Sequence, residues 1–113
     1  MSVHASAEQH PEGDLRVVLG VDELGLWLHH ETAESLARIL LAMLSAAEER
    51  DTASVSLRLP AGTQVTVAIF DDRSAQVTVE PANGPIYQGI ADSTKGLARE
   101  LKEAVAKVGG EGA

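Results

Sequence analysis

A chain of 113 residues with no cysteine and a formal net charge of −8 can bury one core by itself, and it excludes disulfides, thiolate metal sites and a cysteine nucleophile. The negative charge argues against a nucleic-acid partner, because binding to phosphates needs clustered Lys and Arg. We find no signal-peptide pattern and no apolar run long enough to span a membrane, so we expect a soluble cytoplasmic protein without a membrane partner.

The chain divides into one predicted domain between two terminal segments. Residues 1–13 and 109–113 lack hydrophobic periodicity and are predicted to be a disordered lead-in and a disordered tail. Residues 14–108 are predicted to form a single α+β domain, because period-two runs and helical patterns follow one another there.

Alternation of apolar and other residues predicts a β-hairpin over residues 15–28. A two-residue turn at Asp22 and Glu23 closes it, and the valines and leucines of both strands, except Val18, then share the inward face. The predicted outward pairs are Gly20–Gly25, Val18–Trp27 and Arg16–His29.

Two helices and a meander are predicted after the hairpin. The first helix spans residues 31–50, with Thr32 as a plausible N-cap. The second helix begins near Asp92 or Ser93 and ends at Gly109. Strands are predicted over residues 53–59, 63–70 and 75–80, and residues 86–90 are a further candidate for a short edge strand that the strand order given below does not count.

The predicted architecture is a two-layer α+β sandwich of order ββαβββα. Five strands at about 4.8 Å span roughly 24 Å, and two helices at about 8–10 Å spacing cover roughly 20 Å. Both helices therefore fit on the apolar face of one antiparallel-rich sheet, and the opposite face is left open.

The open face carries the candidate partner-binding residues. Tryptophan is enriched at interface centres, and exposed apolar patches mark contact sites, so Trp27 is the central candidate. The alternative is that residues 1–13 or the 81–90 loop of the same chain cover Trp27. The predicted partner-binding set is Arg16, Val18, Trp27, His29, Arg58 and Phe70.

Other motifs are better explained by local structure than by chemistry. Residues 29–31, His-His-Glu, lack the spacing of a metal site. Residues 92–95 suit a helix N-cap, and Asp71 and Asp72 suit a hairpin tip. Lys95, Arg99 and Lys102 are typical of a solvated helix surface. We therefore predict no catalytic residue, no cofactor-binding residue, no metal ligand and no cofactor.

The sequence leads to one main functional hypothesis and two alternatives. The main one is a small acidic, non-enzymatic protein-interaction module whose partner is a second copy of the chain or another protein. The first alternative is an acidic regulator or inhibitor, such as a DNA mimic, immunity protein or antitoxin, that caps a basic partner. The second is a small-ligand-binding or hydrolytic domain with a cleft beside residues 80–90.

Overall fold

The fold, taken from a computed structural model that describes residues 3–50, 53–59 and 62–111, belongs to the predicted α+β class. The predicted single five-stranded sheet is wrong, because the strands form a three-stranded sheet, β1-β2-β3, and a four-stranded sheet, β4-β5-β6-β7. The elements in chain order are β1 (Val3–Gln9), β2 (Leu15–Val21), β3 (Leu24–Leu28), α1 (His30–Arg50), β4 (Ala53–Arg58), β5 (Gln64–Ile69), β6 (Ala75–Glu80), β7 (Tyr87–Ala91) and α2 (Thr94–Glu111).

Strand β1 occupies much of the segment predicted to be a disordered lead-in. It pairs with β2 in antiparallel fashion from Val3↔Val21 to Gln9↔Leu15, so the lead-in prediction is wrong for residues 3–9. Val3 and Ala5 are buried and their neighbours His4 and Ser6 are exposed. The segment therefore alternates with period two, but its inward residues are mostly alanine and give a weak hydrophobic signal.

The predicted β2–β3 register is confirmed. Val21 pairs with Leu24 and Gly20 with Gly25, up to Val17↔Leu28. The predicted Arg16–His29 pair lies outside this register, because β3 ends at Leu28 and α1 begins at His30. Asp22 takes a positive φ of 57° in the turn, a conformation that Asp tolerates better than most residues.

The predicted meander strands form consecutive antiparallel pairs in the four-stranded sheet. Val55 pairs with Val67 and Leu57 with Val65, while Val77 pairs with Val67 on its other side. The predicted short strand near residues 86–90 is β7, which pairs with β6 at the edge of this sheet.

Both helix starts differ from the prediction. Helix α1 begins at His30, and the Ala33 N–H donates to the His29 C=O at 3.0 Å, so Thr32 lies inside the first turn and is not the N-cap. Helix α2 begins at Thr94, where the Ser93 hydroxyl caps the Gly96 N–H at 2.9 Å. Its end at Glu111 shows that the disordered-tail prediction is wrong for residues 109–111.

The two helices pack against each other and share one core with the two sheets. Helix α1 contacts β4 and β5, α2 contacts β1 and β2, and the sheets contact each other through β1 and β2 on one side and β6 and β7 on the other. The largest fully buried side chains include Leu19, Leu40, Ile69 and Leu101. Within the described residues, neither helix combines the length and apolarity that a bilayer crossing requires.

Candidate functional site

An exposed tryptophan marks the outer face of the three-stranded sheet. Trp27 is 39 % exposed and lies opposite the half-buried Val18. Gly20 and Gly25 form the next pair whose side-chain positions face the same outer surface. We call these four residues the Trp27 patch: Val18, Gly20, Gly25 and Trp27. Such a surface offers an apolar anchor beside an area without side chains.

The turn between β1 and β2 covers one side of Trp27. The His10 ring lies edge-on to the indole, with centroids 4.7 Å apart and an interplanar angle of 72°. Residues 1–13 therefore provide part of the self-cover that the sequence left open as an alternative. The cover is incomplete, because more than a third of Trp27 is still exposed.

Arg16 holds this turn in place. Its guanidinium donates to Glu12 Oε2 at 2.8 Å and to Asp14 Oδ2 at 2.9 Å. The hydrogen bond from Arg16 lowers the pKa of Asp14, and the same bond raises the pKa of Arg16. Arg16 therefore acts on the Trp27 patch indirectly, by fixing the turn that carries His10.

His10, Glu12 and Asp14 have ligand atoms within 4.8 Å of one another, but their existing bonds oppose a metal site. Both carboxylates already accept hydrogen bonds from Arg16, and His10 Nδ1 accepts the Glu12 N–H at 3.1 Å. A cation here would compete with a guanidinium for both carboxylates. We interpret the group as an ion-pair network that orders the turn.

The glycines of the Trp27 patch are not required by the fold of the single chain. Neither Gly20 nor Gly25 has a left-handed φ. A Cβ at Gly20 would lie 3.7 Å from the His4 carbonyl oxygen, and one at Gly25 would lie 3.7 Å from Val18 Cγ1, which are ordinary contacts. Glycine inside a strand costs about 0.5–1 kcal/mol relative to alanine, and it often marks close approach of another backbone.

A cleft of about 170 Å³ adjoins the patch, and we call it the β3 cleft. Four consecutive residues at the end of β3 line this cleft. Because successive side chains of a strand point to opposite faces of the sheet, the cleft follows the outer edge of β3. Leu59 and Thr63 form the opposite wall. Its lining is Leu26, Trp27, Leu28, His29, Thr32, Leu59 and Thr63.

A second cavity of about 300 Å³ continues from the β3 cleft along the start of α1. It shares Thr32 and Leu59 with the first cavity and adds Arg58. The fold therefore brings Trp27, His29 and Arg58 to one region, although they come from different sheets or from the strand–helix junction.

Phe70 is the predicted site residue that the fold separates from the others. It follows the far end of β5, seven residues beyond Thr63 of the cleft wall, which corresponds to about 23 Å along a strand. Phe70 is 37 % exposed but belongs to the four-stranded sheet. Sequence reasoning missed His10 as a neighbour of Trp27, because its segment showed no strong periodicity.

Asp72 has a structural role in the turn between β5 and β6. Its Oδ1 accepts hydrogen bonds from the Ser74 hydroxyl at 2.6 Å and from the Ser74 N–H at 2.9 Å. These bonds lower the pKa of Asp72. The turn is tied to α2, because Thr94 donates through its N–H and its hydroxyl to the Arg73 carbonyl.

We expect this carboxylate to make the stability of the protein pH-dependent. A pKa that is lower in the folded chain contributes stability above the unfolded value, and this stability is lost as the pH falls through the folded value. Urea unfolding at about pH 5 and about pH 3 should therefore show the wild type losing more stability than Asp72→Asn. Ser74→Ala, which keeps the carboxylate and removes one donor, should show intermediate pH dependence. Equal pH dependence in all three proteins would contradict this role.

No family model matches the chain, and the comparisons with curated proteins and with solved structures also find no match. The function proposed below therefore depends on the exposure, contacts and charges around Trp27. A third cavity lies between α1 and α2. Residues 80–90 line neither this cavity nor the two beside β3 and the start of α1. The three cavities give no support to the ligand-binding or hydrolytic alternative at that loop.

Proposed function

We propose that this protein is a non-enzymatic protein-interaction module that binds its partner through the Trp27 patch and the adjoining edge of β3. The observation that carries the proposal is an indole 39 % exposed beside two paired glycines that neither φ nor space requires. An exposed aromatic and a bare stretch of backbone are both unfavourable for an isolated chain, and a partner would make both favourable.

The edge of β3 extends this surface. Among the described residues, no strand pairs with the outer side of β3, and Leu24 and Leu26 are only partly buried by the core. An edge strand offers backbone donors and acceptors, and the β3 cleft beside it offers an apolar pocket. Backbone pairing and a side-chain pocket are together the usual means of recognising an extended segment.

The acidic-regulator alternative is less well supported by this surface. The patch itself is made of Val, Gly and Trp, and the nearby Glu12 and Asp14 are engaged by Arg16. A surface that caps a basic partner would instead present free carboxylates at its centre.

Photo-cross-linking at position 27 tests the proposed function. We expect a benzophenone amino acid in place of Trp27 to give one discrete adduct in cells, because the exposed aromatic lies at the contact. The matched control carries the same group in place of Gln88, which is exposed on β7 of the other sheet, and should give none.

The cross-linked partner is identified by mass spectrometry and then titrated, as a purified protein, against the wild type and Trp27→Asp. We expect the substitution to weaken binding by at least about tenfold, the effect of losing 1.4 kcal/mol at an interface centre. No adduct at position 27, the same adduct at both positions, or equal affinity of the two proteins would overturn the proposal.

A further inference from the structure

The hairpin geometry shows which backbone groups face the free edge of β3. Its two-residue turn joins Val21 to Leu24, and residues that flank such a turn exchange hydrogen bonds. The direction of the backbone N–H and C=O groups alternates from one residue to the next along a strand. These groups of Gly25 and Trp27 therefore point away from β2.

Strand β1 gives independent support for this alternation. Because Ala5 pairs with Leu19, which pairs with Leu26, the same alternation directs the Ala5 N–H away from β2. It donates there to Glu100 Oε1 of α2 at 2.9 Å. The outer edge of β1 is thus covered by α2, while no strand among the described residues pairs with the outer edge of β3.

Building on the proposed function, we propose that the partner is a second copy of this chain, joined by antiparallel pairing of the two β3 strands about a two-fold axis at Leu26. Gly25 and Trp27 of each copy then exchange backbone hydrogen bonds with the partner's Trp27 and the partner's Gly25. Each indole lies opposite a glycine of the other copy, an arrangement in which an aromatic side chain covers bare backbone. This arrangement gives both Gly25 and the exposed Trp27 a role.

The ends of the paired strands have complementary hydrogen-bonding groups. In this register the turn at Asp22 and Glu23 of each copy approaches the partner's His29 and the partner's His30, which follow the end of β3. All four side chains are exposed in the single chain, so they are free to pair. Imidazole donates through its ring N–H and a carboxylate accepts, and the two-fold axis repeats each pairing.

The apolar residues of β3 fit the same arrangement. Leu26 faces the partner's Leu26 across the axis, and the partner's Leu24 lies opposite Leu28 on the inward side. That position borders the β3 cleft, whose apolar wall includes Leu59. The second copy would therefore complete the burial of residues that the core covers only in part.

Other registers lose these pairings. A shift of two residues in one direction puts Trp27 opposite the partner's Trp27, and a shift in the other direction puts Gly25 opposite the partner's Gly25, so neither register sets the indole over a glycine. A shift of one residue sets inward side chains against outward ones. The pairing of the indole with a glycine and the side-chain direction thus favour the register about Leu26.

Single-cysteine variants test this register, because the chain has no native cysteine. Opposite residues at the axis form a non-hydrogen-bonded pair with Cα atoms about 4.5 Å apart, within the range of a disulfide. Leu26→Cys should therefore form a disulfide-linked dimer under mild oxidation. Leu24→Cys is the matched control, since its two copies would be about 13 Å apart along the strands, and it should stay unlinked.

Sedimentation equilibrium tests the same proposal without cysteine. The wild type should have twice the mass of one chain, and His29→Glu, which sets like charges opposite each other twice, should weaken the dimer by about tenfold. Adding Glu23→Lys to His29→Glu should restore the affinity, because each Lys then faces a Glu. Gln88→Glu, which adds a negative charge on the other sheet, should leave the dimer unchanged.

The two proposals fail in distinguishable ways. A wild type that stays monomeric at high concentration, with no Leu26→Cys dimer, overturns the homodimer, and a position-27 adduct with a different protein would then leave the interaction module standing. Absence of any adduct at position 27 overturns both. A dimer that Leu24→Cys links as readily as Leu26→Cys, or one whose affinity the charge exchange does not restore, overturns the proposed register.

Discussion

We expect Ala5→Asp to lower the free energy of unfolding by about 3–5 kcal/mol, the effect of burying a charge without a partner. The Ala5 side chain is buried, and its N–H donates to Glu100 Oε1 at 2.9 Å. The new carboxylate would lie near that of Glu100, and like charges repel each other. Because small domains are stable by about 5–15 kcal/mol in total, this loss is a large part of the total, and the variant should unfold at a clearly lower urea concentration than the wild type.

Ser6→Asp provides the matched control for this experiment. Ser6 is the next residue of β1, but its side chain is exposed on the outer face, so the same substitution should change stability by less than about 0.5 kcal/mol. Urea unfolding of both variants at one fixed protein concentration measures the difference. If residues 1–13 were a disordered lead-in, both variants would match the wild type, and that result would contradict the structure.

We expect Leu19→Ala to lower the free energy of unfolding by about 2–5 kcal/mol, the range for leucine in a packed core. Leu19 is 0 % exposed and lies on the central strand β2, which contacts both helices and the strands β6 and β7. Its removal leaves a cavity where several elements meet, so few neighbours can move to fill it.

Leu57→Ala tests whether this effect depends on position. Leu57 lies on the edge strand β4 and is only partly buried, so the same change should cost clearly less than at Leu19. Thermal or urea unfolding of both variants gives the comparison. Equal losses at the two positions would contradict the placement of β2 at the centre of the core.

The proposed dimer explains why one edge of the three-stranded sheet is covered by a helix and the other edge is exposed. The edge of β1 is covered by α2, with Glu100 accepting the Ala5 N–H. The edge of β3 instead carries the exposed Trp27 beside Gly25. A long apolar edge left open invites pairing with another chain, and the pairing of each indole with a glycine would select one antiparallel register.

The local alternation of apolar and polar residues was sufficient to predict the pairing of strands that are consecutive in the sequence. The β2–β3 hairpin has the predicted register, and the strands of the β4–β5–β6 meander keep their predicted inward faces, because a one-residue slip would expose every inward valine and leucine. The same alternation placed Val18 and Trp27 opposite each other on the outer face. The helices were also predicted within a few residues of their observed bounds.

Strand β1 could not be predicted with the same rules. Val3, Ala5 and Ala7 alternate correctly, but alanine has a low β-propensity and buries little area. Its stability depends on pairing with β2 and on packing against α2, about ninety residues further along the chain. The contact of His10 with Trp27 follows from that pairing, since the β1–β2 turn carries His10 over the sheet.

The sequence by itself determined the inward and outward faces of most strands, since side-chain direction alternates residue by residue and depends only on local geometry. Only the tertiary structure decided that the strands separate into two sheets, that Phe70 lies far from Trp27, and that Arg58 lines a cavity adjoining the β3 cleft of Trp27 and His29. These features depend on contacts between distant segments, which hydrophobic periodicity does not encode. The exposed edge of β3 follows from both, because the hairpin orients Trp27 and the division into two sheets leaves that edge without a paired strand among the described residues.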